Sequence, residues 1–136
     1  MTAEVTHVAI EWERGMVFRG GAPDGPQIVI DADNAEAPGP MLNLLLAAAS
    51  CSGSDVVMIL EKMRVGLRRL RIEVHGTRRE EPPRRYTAIR LEFYLAGDGL
   101  DEGKARRAID LSLEKYCSVV ASLAPDIALS YGLTLD

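Results

Sequence analysis

The stretch from Met41 to Met63 limits what this chain can fold into more than any other. Met41–Leu46, Ala47–Ala49 and Val56–Met63 are good helix formers, and Gly66 is placed to end the helix. The first half is apolar on nearly every side, so the pattern predicts a central helix covered by other elements, not a surface helix. Ala47, Ala48, Ala49, Ser50 and Gly53 are small enough to let a second helix approach closely. Ser52-Gly53-Ser54-Asp55 lowers helix propensity midway and predicts a bend, with Ser54 or Asp55 capping the second half. The longest apolar run, Leu44 to Ala49, is far shorter than the ~20 residues of a membrane span, so no membrane segment is expected.

Strands are expected on both sides of this helix. Val5 to Trp12 alternates, with Val8, Ile10 and Trp12 on one face, and reads as a half-buried strand. Met16 to Arg19 and Gln27 to Asp31 follow, separated by the turn formers Gly20-Gly21-Ala22-Pro23-Asp24-Gly25-Pro26, and three such strands suggest an antiparallel meander. Beyond the helix, Leu70 to His75 and Thr87 to Leu95 alternate again. Asp101 opens a second helix carrying Ile109, Leu113, Tyr116, Val120 and Leu123 at helical spacing, and Pro125 lies just past its end. Ile127 to Leu135 reads as a final strand. The order βββ-α-ββ-α-β lacks the regular alternation of a parallel sheet, so the fold class is α+β. At 136 residues the chain is expected to be a single domain over residues 1–136, with one core.

Charge and cysteine content narrow the function. Sixteen basic against twenty acidic residues leave a net charge of −4, which gives no footprint for nucleic acid or an anionic membrane. Two cysteines are too few for a disulfide scaffold, and the first fifteen residues lack the basic and apolar regions of a signal peptide. A cytoplasmic protein is expected, in which thiols stay reduced. No Cys/His spacing suits a metal, and His7 and His75 fall on strand faces expected to be exposed. Arg68-Arg69-Leu70-Arg71 and Arg78-Arg79 read as solvated strand edges.

The two cysteines therefore carry the question of function. Each falls in an expected helix, Cys51 in the first and Cys117 in the second, 66 residues apart. They are either inert core residues or working thiols. A working Cys51 needs help to ionise, and the helix dipole is too far away: Cys51 lies eleven residues past Pro40, about 16 Å along the axis. Asp55, four residues on, would oppose ionisation if it faced the same side. The activator must be a tertiary cation, and the thirteen arginines supply the candidates.

Gly39-Pro40-Met41-Leu42-Asn43-Leu44-Leu45-Leu46-Ala47-Ala48-Ala49-Ser50-Cys51, with Asp55 four later, is followed downstream by Glu114-Lys115-Tyr116-Cys117-Ser118-Val119. This pairing resembles the OsmC/Ohr family of osmotically inducible and organic hydroperoxide resistance proteins, in its short Tyr-Cys-Ser-Val branch. The resemblance covers essentially the whole chain.

What it implies is antiparallel sheets around two central helices in an intertwined homodimer, with active sites at the subunit interface. Cys51 would attack the O–O bond of an organic hydroperoxide and become a sulfenic acid. Cys117 would resolve that sulfenate to a disulfide, and an external dithiol, lipoyl-type or another thiol, would reduce it; no bound cofactor is implied. Arg19, in Val17-Phe18-Arg19-Gly20-Gly21, matches the context of the family's activating arginine. Asn43, Leu44, Ala48 and Tyr116 would line the substrate site, although from the residues alone Tyr116 reads as a core aromatic. The segment Pro40-Met41-Leu42-Asn43 lacks the family's glutamate that orients the arginine, with Asn43 as a polar substitute. The alternative is a non-catalytic dimer that binds a small apolar ligand or senses redox state. A metal site built from both cysteines and a histidine is a remote third reading.

Overall fold

The computed structural model describes residues 3–136. By its internal contacts the chain divides into two compact units, one ending at Leu44 and the other Leu45–Asp136.

The first unit is an antiparallel sheet of β1 (Ala9–Arg14), β2 (Val17–Gly21) and β3 (Gln27–Asp31), in that order. Glu11 pairs with Arg19 and Trp12 with Phe18 across the first hairpin, and Gly15 makes its turn at φ +49°, where a side chain would strain the backbone. The expected meander is present, but the first strand begins later than its apolar alternation suggested. Every residue of β1 is exposed, and Trp12 at 64% is far from half-buried. An alternating strand has a dry face only when something is laid on it, and nothing within this sheet covers that face. After β3 the chain turns around Asp31. Its buried carboxylate accepts hydrogen bonds from the N–H groups of Asp33, Ala35 and Glu36 at 2.9–3.1 Å, and these hold its pKa below the ordinary carboxylate value.

Helix α1 (Pro40–Lys62) runs unbroken through the expected bend. Ser54 Oγ donates to the Ser50 carbonyl, so the hydroxyl that could have capped a second helix is satisfied inside the first. Ser52 and Gly53 lie in the buried stripe with Leu45, Ala48, Ala49, Val56 and Leu60. A Cβ on Gly53 would stand 3.2 Å from Ile72 Cδ1, so its smallness serves close packing on the sheet. The helix also ends before Gly66. Arg64 takes the left-handed conformation at φ +62°, its N–H bonding to the Glu61 carbonyl and that of Val65 to the Leu60 carbonyl. This is a Schellman closure with Arg64 where a glycine was expected, and Gly66 instead opens the next strand. With 23 residues, α1 is long and apolar enough by composition to cross a bilayer, which its short leucine-alanine run did not suggest. One stripe packs on the sheet while Leu42, Leu46, Val57 and Met58 stand exposed, so among the described residues the expected central helix is covered on one side only.

The second unit sets α1 from Leu45 onward against a sheet ordered β4 (Gly66–Arg78), β5 (Tyr86–Asp98), β6 (Ala128–Leu135). β4 and β5 form a long antiparallel hairpin, with Ile72 opposite Phe93. β6 runs parallel to β5, Ala88 facing Ala128 and Leu95 facing Leu135, so the expectation of purely antiparallel sheets is corrected. The chain between them crosses over through helices, and a helical crossover returns a strand in the same direction. Ile89, Leu91, Phe93 and Leu95 of β5, Val56 and Leu60 of α1, and Ala105, Ala108 and Ile109 of α2 (Glu102–Leu111) are buried together as the core. Asp101 caps α2 as expected, accepting from the Lys104 N–H at 2.8 Å.

The second helix does not continue to Leu123. It passes into a π-helical turn over Ser112–Tyr116, then into extended backbone at Cys117 (φ −72°, ψ 103°), and resumes as α3 (Ser118–Ala121). Cys117 is therefore at a break between helices and not within one.

Candidate functional site

The break in the second helix positions Cys117. Its N–H bonds to the Ser112 carbonyl at 2.8 Å, which widens the last turn, and its Sγ accepts from the Val120 N–H at 3.5 Å as the cap of α3. Hydrogen bonds thus hold the Cys117 backbone on the π-helical side and its sulfur on the α3 side. The residue is 4% exposed.

Cys51, in mid-α1, is half-buried and close enough to Cys117 to act on its thiol, so residues 66 positions apart in sequence are neighbours. Both are free thiols. Burial pushes the Cys117 thiol up to about 11, and the neighbouring Cys51 pushes the same way, while the Val120 and Val119 N–H groups oppose them. At neutral pH Cys117 thus carries its proton. The pair is asymmetric, with one accessible thiol beside one that is sealed and protonated.

Ser112 joins the pair's two supporting elements. Its buried hydroxyl lies 2.9 Å from Ser52 Oγ and 2.9 Å from Asp55 Oδ2, so the π-helical turn is fastened to α1 directly beside Cys51. Asp55, expected to oppose a thiolate, has its carboxylate engaged by this hydroxyl.

The other expected site residues are placed differently. Arg19 sits half-exposed on β2, in the first unit, and its neighbour is Glu13, with Nε 3.6 Å from the carboxylate. Asn43 is engaged in the loop before α1. Its side-chain amide donates to the Pro38 and Gly39 carbonyls at 2.9 and 2.8 Å, tying the preceding loop to the start of α1. Leu44 is half-buried and Ala48 lies in the buried stripe of α1. Tyr116 is not a core aromatic: it is 51% exposed, because the wide turn swings it outward, and Lys115 Nζ stands 5.5 Å from its ring centre. It borders a cavity of about 570 Å³ whose walls also include Asp55, Met58, Ile59 and Leu111. A second, more open apolar groove of about 590 Å³ runs between α1 and β4, lined by Leu46, Val57, Leu70 and Ile72 among others. His7 and His75 are exposed, and no group of three His, Cys, Asp or Glu among the described residues could hold a metal ion.

Sequence reasoning missed Glu13 and Ser112. The first was within reach, because Glu11 pairs with Arg19 across the hairpin and Glu13 follows on the same face. Nothing local marks Ser112, whose partners are 57 and 60 residues away.

Comparison with known proteins gives the family and the fold. The profile of the OsmC-like protein family matches residues 32–131, a span that holds both cysteines and Ser112. The chain belongs to the OsmC-like family. It is 39% identical over 124 residues to protein YhfA of Escherichia coli K12, covering 90% of this chain and 92% of that one. An OsmC-like protein from Mycoplasma pneumoniae superposes with a TM-score of 0.83 at 18% identity, covering 98% of this chain and 99% of the other. An organic hydroperoxide resistance protein OsmC from Legionella pneumophila gives a TM-score of 0.67 at 12% identity, covering 98% and 99%. These two share the OsmC-like fold with this chain, an α+β arrangement of two sheets with helices.

Proposed function

We propose that this OsmC-like protein is a thiol peroxidase that reduces organic hydroperoxides to alcohols, working as a homodimer in the cytoplasm. The Cys51 thiolate attacks the O–O bond, taking one oxygen as the sulfenic acid and releasing the other, with a proton, as the alcohol. The Cys117 thiol condenses with that sulfenic acid, forming a Cys51–Cys117 disulfide and releasing water. An external dithiol, lipoyl-type or another thiol, then returns both cysteines to thiols and is itself oxidised to a disulfide. Arg19, held by Glu13, is assigned as the cation that assists the thiolate, and Leu44 and Tyr116 as contacts to the substrate.

The observation that carries this reading is the asymmetric cysteine pair. An accessible thiol suits the attacking role, whereas a buried, protonated thiol next to it suits a resolving group that must wait for a sulfenic acid. The test is consumption of cumene hydroperoxide by pre-reduced protein. One equivalent should be consumed without reductant, with a Cys51–Cys117 disulfide formed, and turnover should follow when dithiol is added. Cys51→Ser should abolish consumption. Trapping of the sulfenic acid on Cys51 in a Cys117→Ser variant should confirm the division of roles, whereas an equally fast adduct on Cys117 in Cys51→Ser would reverse it.

The use of Asn43 in the loop, where the family glutamate would stand, favours a second reading: a redox sensor that oxidises once and turns over slowly. Stoichiometric oxidation without dithiol-driven turnover would select it.

A further inference from the structure

Asp55 is a carboxylate that the peroxidase reading leaves without a task. It follows Cys51 by four residues on α1, so the two share one face a turn apart. A helical side chain leans back toward the N-terminus, which carries the carboxylate over the turn that holds Cys51 and Ser52. Its hydrogen bond agrees: Oδ2 lies 2.9 Å from Ser112 Oγ, and that oxygen lies 2.9 Å from the hydroxyl of Ser52, the residue after Cys51. A carboxylate only accepts, so the Ser112 hydroxyl donates to Asp55 and the Ser52 hydroxyl donates to Ser112. Both serines are fully buried, and the charge they hold is anchored in place.

No cation is paired with it. Among the described residues Asp55 makes no ion pair, and its hydrogen-bond partner is a neutral hydroxyl. Lys62, the only cation of α1, is seven residues further on, about 10 Å along the axis. Arg107 borders the same cavity as Asp55 without pairing with it. A fixed negative charge one turn from a half-buried thiol acts on whatever approaches that thiol. We propose that Asp55 is a specificity-determining residue, whose charge turns away partners that bring negative charge to the atom Cys51 attacks and admits those uncharged there. That the admitted oxidant is a hydroperoxide rests on the peroxidase reading; the discrimination itself does not.

Two disulfide reagents test this without any peroxide. The Cys51 thiolate attacks either one, forming a mixed disulfide as the reagent's S–S bond breaks and its other half leaves with the electron pair as the coloured product. Dithiobis-nitrobenzoate carries a carboxylate on each ring, and dithiodipyridine carries none. Asp55 opposes the thiolate equally in both reactions, so that effect cancels in the ratio of the two rates. In a Cys117→Ser background, where only Cys51 reacts, Asp55→Asn should raise the ratio of the anionic to the neutral reagent roughly fivefold or more at low salt. The asparagine oxygen still accepts from Ser112, and Asp55→Glu, which restores the charge, should restore the lower ratio. Glu61→Gln, which removes an exposed charge farther along α1, should leave the ratio unchanged. With Asp55 in place, the rate with the anionic reagent should climb with salt more steeply than that of a small free thiol. A ratio unmoved by Asp55→Asn, or a salt response no steeper than the free thiol's, would overturn the discrimination, whatever the peroxidase activity. A shifted ratio in a protein that consumes no hydroperoxide would sink the peroxidase reading and keep the discrimination.

Discussion

The two thiols differ in what surrounds them, and the difference can be measured. The Cys117 thiol, pushed up to about 11 chiefly by burial, should resist iodoacetamide at pH 8 while Cys51 is alkylated first; peptide mass spectrometry over a pH series should show Cys117 labelling rise only as pH approaches that value. The same shift has a sign for stability. The unfolded chain gives up this proton at the ordinary thiol value, below the folded one, so stability falls as pH rises from the ordinary value through about 11. Glu13 makes a second residue-scale case. Its pairing with Arg19 at 3.6 Å is part-exposed, so Glu13→Gln should change stability by less than about 1 kcal/mol. If Glu13 orients the assisting cation, the same variant should slow hydroperoxide consumption roughly threefold to tenfold, with the resolving step unchanged. The cysteines were legible in the sequence through their flanking motifs. Glu13 was hidden because the motif reading sought a carboxylate on α1, while the hairpin supplies one across the strand.

The elements were legible wherever the local pattern alone determined them. α1 was readable from its run of good helix formers, and β5 because its core residues alternate. The break at Cys117 was not, since Ser112-Leu113-Glu114-Lys115-Tyr116 has an ordinary helical composition and the widening depends on hydrogen bonds to Ser112. The expected bend in α1 failed for the converse reason: packing of Gly53 against Ile72 outweighed the weak local propensity. Ser112 is where these effects meet. Ser112→Ala should remove the tie between the π-helical turn and α1, leaving Ser52 and Asp55 short of a partner and lowering stability by about 1–3 kcal/mol. Disulfide formation after one equivalent of hydroperoxide should slow several-fold, while formation of the sulfenic acid on Cys51 keeps its rate. Stopped-flow measurement with a sulfenic-acid trap separates the two steps.

At the scale of the molecule, the surface carries more apolar area than a solitary chain of this kind needs. Trp12 and Ile10 stand exposed on β1, with Val8 exposed just before it, and Leu46, Val57 and Met58 on α1. Such faces on a protein with a well-formed core mark places where another surface is laid down. A second copy is the partner we propose, and sedimentation should report twice the 14.8 kDa chain mass. Trp12→Glu and Val57→Glu should each shift the protein toward monomer without unfolding the β4–β5 hairpin, seen as retained far-ultraviolet circular dichroism. The sequence registered these residues as apolar and assigned them to a core. Alternation reports that a face will be dry, but not whether the covering comes from the same polypeptide.

One consequence of the helix break reaches beyond chemistry. The sulfur of Cys117 is also the acceptor that starts α3, since the Val120 amide points at it. The proposed disulfide with Cys51 would change what that sulfur can accept, and the Val120 amide contact is the backbone feature that would register it. Hydrogen–deuterium exchange at Val120 should therefore quicken in the oxidised protein and slow again on reduction. A four-residue coil of chain would then signal to its surroundings whether the protein has just met an oxidant.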